Sequence, residues 1–399
     1  MKIAFCYEKI FPARGGCETY ICDLARRLTA DGHEVHLYAC SWDPAALPTG
    51  VHYHALSVSS GPRFLRPWLF GAACAEALRR GDHDLSIGFD KTWGQDILYP
   101  QGGLHAASAD HNLRKYPHVL TRCLAGLAKK LDLAHRSFSR LERRQYLGSD
   151  QSLVIVISNM VRDHFRRYYG TEPARLRVLH AAIDPGRFDE SNRLQLRREF
   201  RQRWHLRPDE TAGLFVAMNY RLKGLEPLLH AVARLGPQPF RLLVVGHPRT
   251  GRYQRLARRL GIEQRVSFLG PNRDVRTAYF AADFLVHPTF YDPCSLVVLE
   301  ALACGLPVIT TRYNGAGELL RPPREGYIIH DPHHHEELAE AMRQLLDPDR
   351  RAACGRAARQ AAARWTFEHH YQQLLQLFAE AAARRRANST FGERGVLTP

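Results

Sequence analysis

Short apolar segments alternate with longer amphipathic stretches along nearly the whole chain. Apolar runs rich in β-branched and aromatic residues are typical of buried strands, and apolar residues on one helical face are typical of packed helices. The pattern predicts strands in the first half at Lys2–Tyr7, Glu34–Ala39, Val51–Ala55, Asp84–Phe89, Asp96–Pro100 and Leu153–Ile157. In the second half it predicts strands at Gly213–Met218, Arg241–Val245, Val266–Leu269, Phe284–His287, Val308–Thr310 and Tyr327–Ile329. Predicted helices include Glu18–Ala30, Glu226–Leu235, Tyr253–Gly261, Glu336–Leu346 and Phe367–Arg385. This alternation favours an α/β fold of parallel sheets covered by helices.

The strands fall into two series, separated by the polar stretch Asp184–Arg207. A chain of 399 residues with 45% hydrophobic residues can bury two cores. We therefore expect two Rossmann-like domains facing across a cleft, over residues 1–187 and 205–365. In such folds the ligand lies at the carboxyl ends of the strands. Residues 386–399 are expected to form a flexible tail.

The composition and the start of the chain indicate in which cellular compartment the protein is expected. The chain has no apolar segment long enough to span a bilayer, and its beginning resembles a strand rather than a signal peptide. The nine Cys residues are scattered, without the spacing of a zinc or redox motif. These features predict a protein of the reducing cytoplasm.

The charge predicts an anionic partner. Lys and Arg number 56 against 40 Asp and Glu, a formal net charge of +16. Such a surface attracts phosphate esters, nucleic acid or an acidic membrane leaflet, and charge alone does not choose among them. No nucleic-acid-binding module is recognisable, so nucleic acid is not expected as a partner.

Two carboxylates lie eight positions apart near the end of the second series of strands. Asp292 lies in the loop after a predicted strand, and Glu300 lies in the helix that follows. This placement allows them to hold two hydroxyl-bearing parts of one ligand, such as the ribose and hexose of a nucleotide sugar. Taken alone, a helix-capping Asp and a solvated Glu would be the simpler interpretation.

Cations and glycines lie in the loops after two other strands. Arg221 and Lys223 follow the first strand of the second series and suit a diphosphate. Gly15 and Gly16 follow the first strand of the chain and precede a helix whose N–H groups favour a negative charge. Ordinary basic and tight turns are the alternative interpretations.

Six further residues are candidates because of the segments in which they lie. His105 follows a glycine pair after a strand, where a neutral imidazole can bond a hydroxyl. Asn272 lies in a loop with Arg273 and Asp274, and Arg187 lies where the two series meet. The turn that opens the helix containing Glu300, at Ser295, Leu296 and Val297, presents N–H groups to a phosphate.

The segment from Asp292 through Glu300 to Ala301-Leu302-Ala303-Cys304-Gly305-Leu306-Pro307-Val308 resembles the acidic signature of retaining glycosyltransferases of family 4. That signature is a Glu, seven residues and a second Glu. The second Glu is also the first residue of the run E-A-x-x-x-G-x-P-V. This chain has Asp292 at the first position, and Leu222 separates Arg221 from Lys223. The resemblance implies GT-B architecture, with the helix over about 366–385 joining the N-terminal domain.

The resemblance also implies residue roles. Asp292 would bind the transferred sugar and Glu300 the ribose, His105 would meet the sugar near its reacting carbon, and Lys223 would stabilise the leaving diphosphate. The implied catalytic residues are Asp292, His105 and Lys223. The implied donor-binding residues are Gly15, Gly16, Arg187, Arg221, Lys223, Asn272, Ser295, Leu296, Val297 and Glu300.

The implied function is metal-independent, retaining transfer of a sugar from a nucleotide diphosphate to an acceptor hydroxyl, with no cofactor. Among subfamilies, Gly270–Val308 looks most like lipopolysaccharide core glucosyltransferases, which implies UDP-glucose as donor and a lipid-linked acceptor carrying inner-core heptose. A monomer at the cytoplasmic face of the inner membrane is expected. Two alternatives stay open: a GT-B sugar-nucleotide 2-epimerase, and a non-catalytic binder of anionic polymers.

Three other patterns invite interpretation. The Asp-x-Asp pairs at Asp82 and Asp347 and the run His333-His334-His335 imitate metal motifs, but we interpret them as incidental, the histidines lying at an ordinary helix start. Between Asn112 and Arg144 the chain has nine Lys or Arg with interleaved leucines. This pattern is typical of basic amphipathic helices on an anionic membrane, or of helices packed on the first sheet with solvated Arg faces.

Overall fold

The computed structural model describes residues 1–394 apart from 13–14, 47, 59–60, 149–151 and 273, and omits the side chains of 185 and 388–394. The chain forms two compact units. The first comprises Met1–Ala109, Cys123–Leu179 and the segment from Tyr371 onward, and the second comprises Asp110–Arg122 and His180–His370.

Strands are confined to short segments in both units. They are β1 (Lys2–Cys6), β2 (Lys9–Ile10), β3 (Glu34–Ala39), β4 (Ser41–Trp42), β5 (Val51–Ala55), β6 (Leu85–Gly88), β7 (Ile97–Leu98), β8 (Leu153–Val156), β9 (Leu176–Val178), β10 (Thr211–Ala217), β11 (Phe240–Gly246), β12 (Val266–Gly270), β13 (Phe284–His287), β14 (Val308–Thr311) and β15 (Gly326–Ile329). Most of the longer strands are continuous runs of buried residues, as expected where helices cover both faces of a sheet.

Helices separate most of these strands. They are α1 (Gly16–Ala30), α2 (Arg66–Arg80), α3 (His105–Arg114), α4 (Val119–Leu131), α5 (Leu133–Leu147), α6 (Asn159–Tyr169), α7 (Arg193–Arg203), α8 (Leu225–Arg234), α9 (Gly251–Arg259), α10 (Val275–Ala281), α11 (Leu296–Ala303), α12 (His335–Leu346), α13 (Pro348–Ala362) and α14 (Phe367–Arg394). Within the described ranges, none of them has both the length and the apolar character that crossing a bilayer requires.

Each unit is built on one parallel sheet. The first sheet has the order β5-β3-β1-β6-β7-β8-β9 and the second has the order β12-β11-β10-β13-β14-β15. Strands β2 and β4 form a separate parallel pair. The two parallel sheets confirm the predicted α/β fold class.

Strand order reverses direction once in each sheet. In the first sheet β1 pairs with β3 on one side and β6 on the other. In the second sheet β10 pairs with β11 on one side and β13 on the other. Ligands of open parallel sheets bind at the carboxyl ends of strands at such a switch point. The loops after β10 and β13 are therefore where a site is expected in the second unit.

The core of the second unit lies between its sheet and two contacting helices. Helices α8 and α12 pack against each other and bury Leu228, Leu338 and Met342 with the apolar side chains of β10 and β11. Gly213 in β10 leaves room for the Phe240 ring, since a Cβ at this position would lie 2.7 Å from that ring. This packing holds β10 against β11 in the core of the second unit.

Several elements differ from the sequence prediction. Strand β9 was not predicted, because its three residues include Arg177 and give no clear apolar run. The strand expected at Asp96–Pro100 is only Ile97–Leu98. Helix α12 begins at His335, so His333 and His334 precede it rather than lying on it.

Two differences concern the ends of the predicted units. The final helix was expected to end near Arg385, followed by a tail over 386–399, but α14 continues to Arg394. The sequence has no proline between Pro348 and Pro399, so no proline interrupts the helical hydrogen bonds of α14. Asp110–Arg122 belongs to the second unit rather than the first, because Arg114 and its neighbours contact residues of the second unit. Residues 395–399 lie outside the described residues.

Candidate active site

Lys223 and Asp292 lie in contact at the switch point of the second sheet. They lie in the loops after β10 and β13, which are neighbouring parallel strands and so end at the same edge. Lys223 Nζ donates to Asp292 Oδ2 at 2.6 Å and to the Tyr291 carbonyl at 3.2 Å. The structure thus brings together two of the three residues, Asp292 and Lys223, for which the sequence implied a catalytic role.

A glycine permits this close approach. Gly224 precedes α8 with a φ of 81°, a conformation that side chains other than glycine rarely adopt. A Cβ at Gly224 would lie 2.0 Å from the Pro288 carbonyl oxygen. A glycine is therefore required after Lys223 on steric grounds. It lets the loop that contains Lys223 lie directly against the loop that contains Asp292.

The surroundings of Asp292 keep its carboxylate ionised. Burial by itself would raise its pKa, but the Lys223 ammonium and a bond to His287 outweigh that effect and hold the pKa well below its usual range. His287 Nε2 lies 3.6 Å from Asp292 Oδ2, while burial lowers the pKa of His287. Sequence reasoning missed His287, although a polar residue at the end of apolar β13 was a usable signal.

Asn314 holds the acidic loop in place. Asp292 pairs with the backbone on both sides of Asn314: its N–H donates to the Tyr313 carbonyl, and its carbonyl accepts from Gly315, both at 2.9 Å. The buried Asn314 Oδ1 accepts from the N–H of Ser295 at 3.2 Å. Asn314 was not predicted, because nothing in its local sequence shows a contact across two strands.

The contact with Asn314 occupies one of the N–H groups at the start of α11 that were expected to bind phosphate. The N–H of Ser295 already donates to Asn314. The phosphate contact is therefore expected only from the N–H groups of Leu296 and Val297, which lie in the first turn of the helix. The Ser295 hydroxyl lies 3.4 Å from His287 Nε2. Ser295 thus bonds within the protein on both its N–H and its hydroxyl.

Glu300 has different partners from Asp292. The Tyr279 hydroxyl donates to Glu300 Oε2 at 2.6 Å from a fully buried ring. Burial raises the pKa of Glu300, while the nearby Arg187 guanidinium and the Tyr279 hydroxyl lower it in part. Arg187 therefore acts electrostatically on Glu300. Pairs of carboxylates whose pKa values are shifted apart are typical of sites where each has its own role.

Arg221 and Asn272 interact locally. The Arg221 guanidinium lies over the ring of Tyr116, 4.4 Å from its centroid. Asn272 accepts from the N–H of Asp274 at 3.2 Å, and Asp274 in turn caps α10. Asn272 thus has a structural function in a turn, and Arg273, which shares its loop, lies outside the described residues.

In the first unit, the Gly15-Gly16 pair forms the start of α1. Gly15 has a φ of −174°, an extended conformation that any residue adopts. A Cβ there would approach only the movable carboxylate of Glu18, at 2.9 Å. The backbone conformation therefore gives no reason for glycine at position 15, and residues 13–14 lie outside the described residues.

His105 begins α3 and is held by neighbours from the basic stretch. Its Nε2 lies 2.8 Å from His135 Nδ1, and burial together with the nearby His135 lowers the pKa of His105 to about 4. The buried Glu142 accepts from the N–H groups of His105 and Ala106, and from the hydroxyl of Tyr169 at 2.6 Å. His105 is thus neutral near pH 7, and its contact with the donor sugar stays a prediction.

The patterns that imitate metal motifs have structural explanations. Asp84 accepts from the N–H of Lys2, and Asp347 caps α13. His333 bonds to the Arg114 carbonyl, whereas His335 stacks on His230. The histidines of this run therefore point in different directions.

The basic stretch contains an uncovered helix. Helix α4 buries none of its side chains, and its apolar residues are exposed. The exposed fractions are 73% for Val119, 72% for Leu120, 61% for Leu124, 64% for Leu127 and 69% for Leu131. In contrast, α5 buries Leu141, Gln145 and Tyr146. The alternative of packed helices therefore suits α5, which buries one face, but not α4.

Comparison with known proteins defines the class. Two family models match: Glycosyltransferase Family 4 over residues 14–187 and Glycosyl transferases group 1 over residues 197–361. A probable transglycosylase of Burkholderia thailandensis is 30% identical over 383 residues, 93% of this chain and 95% of that protein. The protein is a GT-B glycosyltransferase and belongs to glycosyltransferase family 4. This favours glycosyl transfer over the epimerase and polymer-binding alternatives.

Individual relatives refine the comparison. The lipopolysaccharide glucosyltransferase WaaG of Escherichia coli is 28% identical over 351 residues, 87% of this chain and 90% of that protein. A crystal structure of WaaG, described as a glycosyltransferase of lipopolysaccharide biosynthesis, superposes with a TM-score of 0.78 at 25% identity, covering 94% and 99% of the two chains. Anabaena HepE, solved with UDP-glucose, superposes with a TM-score of 0.68 at 18% identity, covering 95% and 100%.

Proposed function

We propose that this protein transfers glucose from UDP-glucose to an acceptor hydroxyl of lipopolysaccharide core or another cell-envelope glycan, with retention of anomeric configuration. The observation that carries the proposal is the contact of Lys223 with Asp292 at the carboxyl ends of β10 and β13. The name of the WaaG relative supports a glucosyl donor and a lipopolysaccharide acceptor, and the HepE complex supports UDP-glucose.

The charges of the site suit a nucleotide sugar. The ionised Asp292, whose side chain is 14% exposed, is an acceptor for sugar hydroxyl groups. Glu300, on the helix that follows, is the proposed ligand of the ribose hydroxyls. A carboxylate accepting from hydroxyls makes the strong, charge-assisted class of hydrogen bond.

Lys223 is the proposed electrostatic catalyst. Its side chain is 20% exposed and lies in the loop that ends at Gly224, where the bond to Asp292 holds the ammonium in place before the donor arrives. Negative charge grows on the diphosphate as the glycosidic bond breaks, and a fixed cation stabilises that state more than the ground state. Lys223 and Arg221 would thereby supply the positive charge without a metal ion or another cofactor.

The proposed reaction is a same-face substitution. The bond between the anomeric carbon and the diphosphate oxygen breaks, and the acceptor oxygen forms its bond on the same face. The acceptor proton passes to the departing phosphate oxygen, so no protein base is needed. The low pKa of Asp292 agrees with a hydroxyl-binding role, since it makes a poor proton acceptor near pH 7.

A peripheral membrane position is proposed from α4. Its exposed leucines would enter the interface of the bilayer, and Arg122, Lys129 and Lys130 provide cations for anionic headgroups. A lipid-linked acceptor at the cytoplasmic face of the inner membrane would then be presented to a protein already bound there.

The test is incubation of the purified full chain with UDP-glucose and a heptose-bearing core acceptor, with NMR of the product. We expect a new α-glycosidic linkage, an unchanged initial rate with excess chelator, and a melting temperature raised by UDP-glucose. A β-linked product would overturn retention, and a new sugar nucleotide formed without acceptor would restore the epimerase. Binding of anionic polymers without any response to nucleotides would overturn catalysis.

A further inference from the structure

A cluster of histidines and one carboxylate lies on the first sheet, at the amino ends of two strands. Glu34 and His36 are two positions apart on β3 and so share one face of the sheet. His52 on the edge strand β5 pairs in register with His36. The Gly15-Gly16 turn follows the carboxyl end of β1, at the other end of the same sheet, so the cluster is separate from the candidate donor-binding residues.

The potential ligand atoms converge. One ligand atom each of Glu34, His36 and His52 lie within 4.8 Å of one another. His36 Nε2 lies 2.7 Å and His52 Nε2 lies 4.0 Å from the same oxygen, Glu34 Oε1. The rings of His36 and His52 stack with centroids 4.8 Å apart. Two atoms bound to one Zn²⁺ at about 2.1 Å are at most about 4 Å apart, so small rotations of the exposed His52 and Glu34 bring all three into range.

A fourth residue orients the central ligand. His36 is 8% exposed, and its Nδ1 lies 2.8 Å from His54 Nε2. In this geometry His54 Nε2 can accept the Nδ1 proton of His36. This leaves Nε2 of His36 directed at Glu34 and His52. Metal-binding histidines are typically fixed in this way by a hydrogen bond on their other ring nitrogen.

His54, which orients His36, is itself held by residues deeper in the protein. The Tyr38 ring stacks on His54 with centroids 4.5 Å apart, and the Tyr38 hydroxyl lies 2.9 Å from His83 Nε2. Tyr38 is buried with Phe70 and Cys74 of α2. The central ligand is therefore held by a chain of packed rings, whereas Glu34 and His52 remain accessible to an incoming ion.

We propose that Glu34, His36 and His52 form a binding site for a divalent transition metal ion of the Zn²⁺ class, with solvent at the remaining position. Two imidazoles and one carboxylate suit Zn²⁺ and its first-row neighbours, whereas Mg²⁺ and Ca²⁺ prefer oxygen ligands. A bound ion would join the edge strand β5 to β3. The site is structural in this proposal and does not depend on the proposed glycosyl transfer.

The experiment measures Zn²⁺ binding to the full chain after removal of metals with a chelator, by calorimetry and by thermal unfolding. We expect one equivalent of Zn²⁺ to bind and to raise the melting temperature. His52→Ala and Glu34→Gln change exposed side chains, so both variants should fold, and each should weaken binding by about tenfold or more.

The matched control is His330→Ala. His330 is exposed beside a carboxylate, with its Nδ1 2.7 Å from Glu337 Oε1, and His334 lies nearby. Binding should be unchanged in this variant. The proposal is overturned if the wild-type chain does not bind Zn²⁺, if His52→Ala binds as tightly as wild type, or if the control weakens binding equally. With Co²⁺, visible absorption bands that disappear in Glu34→Gln would confirm a carboxylate ligand, and bands that persist would exclude Glu34.

Discussion

The ammonium of Lys223 and the carboxylate of Asp292 are 2.6 Å apart, although 69 positions separate them in the sequence. They meet because β10 and β13 are adjacent at the switch point, and Gly224 lets the two loops touch. The pair is therefore a product of topology, and its two members should contribute differently to catalysis.

Asp292→Asn should cripple transfer. The amide keeps the size of the side chain but lacks the negative charge that accepts sugar hydroxyls and pairs with Lys223. We expect the transfer rate to fall by about 100-fold or more, as for the loss of other preorganised polar contacts. Initial rates with UDP-glucose, beside circular dichroism to verify folding, measure this. Asp349→Asn, on α13, is the control, and a fully active Asp292→Asn would remove Asp292 from the site.

Lys223→Ala should lower turnover rather than substrate affinity alone. The lost cation stabilises the diphosphate most in the transition state, so kcat should fall by about 10- to 1000-fold. Separate measurement of kcat and KM tests this. Arg221→Ala should have a smaller effect, because its guanidinium lies over the Tyr116 ring. If Lys223→Ala changed only KM, the ammonium would be a ground-state contact.

Gly224→Ala should destabilise the second unit and inactivate the protein. The added Cβ meets the Pro288 carbonyl and forces a left-handed conformation on alanine. Gly261→Ala is a matched control, since Gly261 has a φ of 67° but the part of the chain that the structure describes places no atom within 4 Å of the added Cβ. The control should cost only the conformational strain of about 1–2 kcal/mol. Urea unfolding compares the two variants, and equal losses would show that the Pro288 contact is not limiting.

Stability should decrease as the pH falls from about 6.5 to 4. Burial lowers the pKa of His370 to about 4, whereas an unfolded histidine titrates near 6.5. In this window the unfolded chain binds a proton that the folded chain does not, so the free energy of unfolding falls by about 1.4 kcal/mol per pH unit for one such group. Chemical unfolding at several pH values measures the slope.

The variant His370→Asn should reduce this slope, because it removes one neutral buried imidazole. His334→Asn changes a side chain that is 65% exposed and should leave the slope as it is. A slope that is the same in His370→Asn and wild type would show that other groups dominate the acid response.

Leu124→Glu combined with Leu127→Glu should abolish binding to anionic vesicles. Both leucines are more than 60% exposed on α4, so the change should not disturb the core. Sedimentation with phosphatidylglycerol vesicles, compared with phosphatidylcholine vesicles, measures binding. Leu194→Glu changes a leucine that is 70% exposed on α7 and serves as the control. If the α4 variant still bound anionic vesicles as wild type does, the membrane role of α4 would be wrong.

The strands and the loops after them could be predicted from the sequence, because they depend on the local pattern of apolar and polar residues. Apolar runs such as Phe284–His287 and Val308–Thr310 marked the strands, because buried parallel strands are continuously apolar. The loops after the predicted strands Gly213–Met218 and Phe284–His287 then marked Lys223 and Asp292 as candidates. A short strand containing a charge, β9, was missed for the same reason.

Contacts between segments that are distant in the sequence could not be predicted from the local pattern of apolar and polar residues. His287, Tyr279 and Asn314 contribute to the site through side-chain bonds across neighbouring strands and helices, which depend on the register of the sheet. Glu142 was counted only as one acid within a basic stretch, yet it caps the helix that begins at His105. The exposure of α4 likewise followed only from the structure, since amphipathic helices at a core and at a membrane have the same periodicity.

The first unit is assembled from three separated segments, the last of which begins at Tyr371. During synthesis its early strands leave the ribosome long before α14 exists, while the second unit is made in between. The unit that starts first is thus finished last, and until then its incomplete surface is exposed to chaperones and to aggregation.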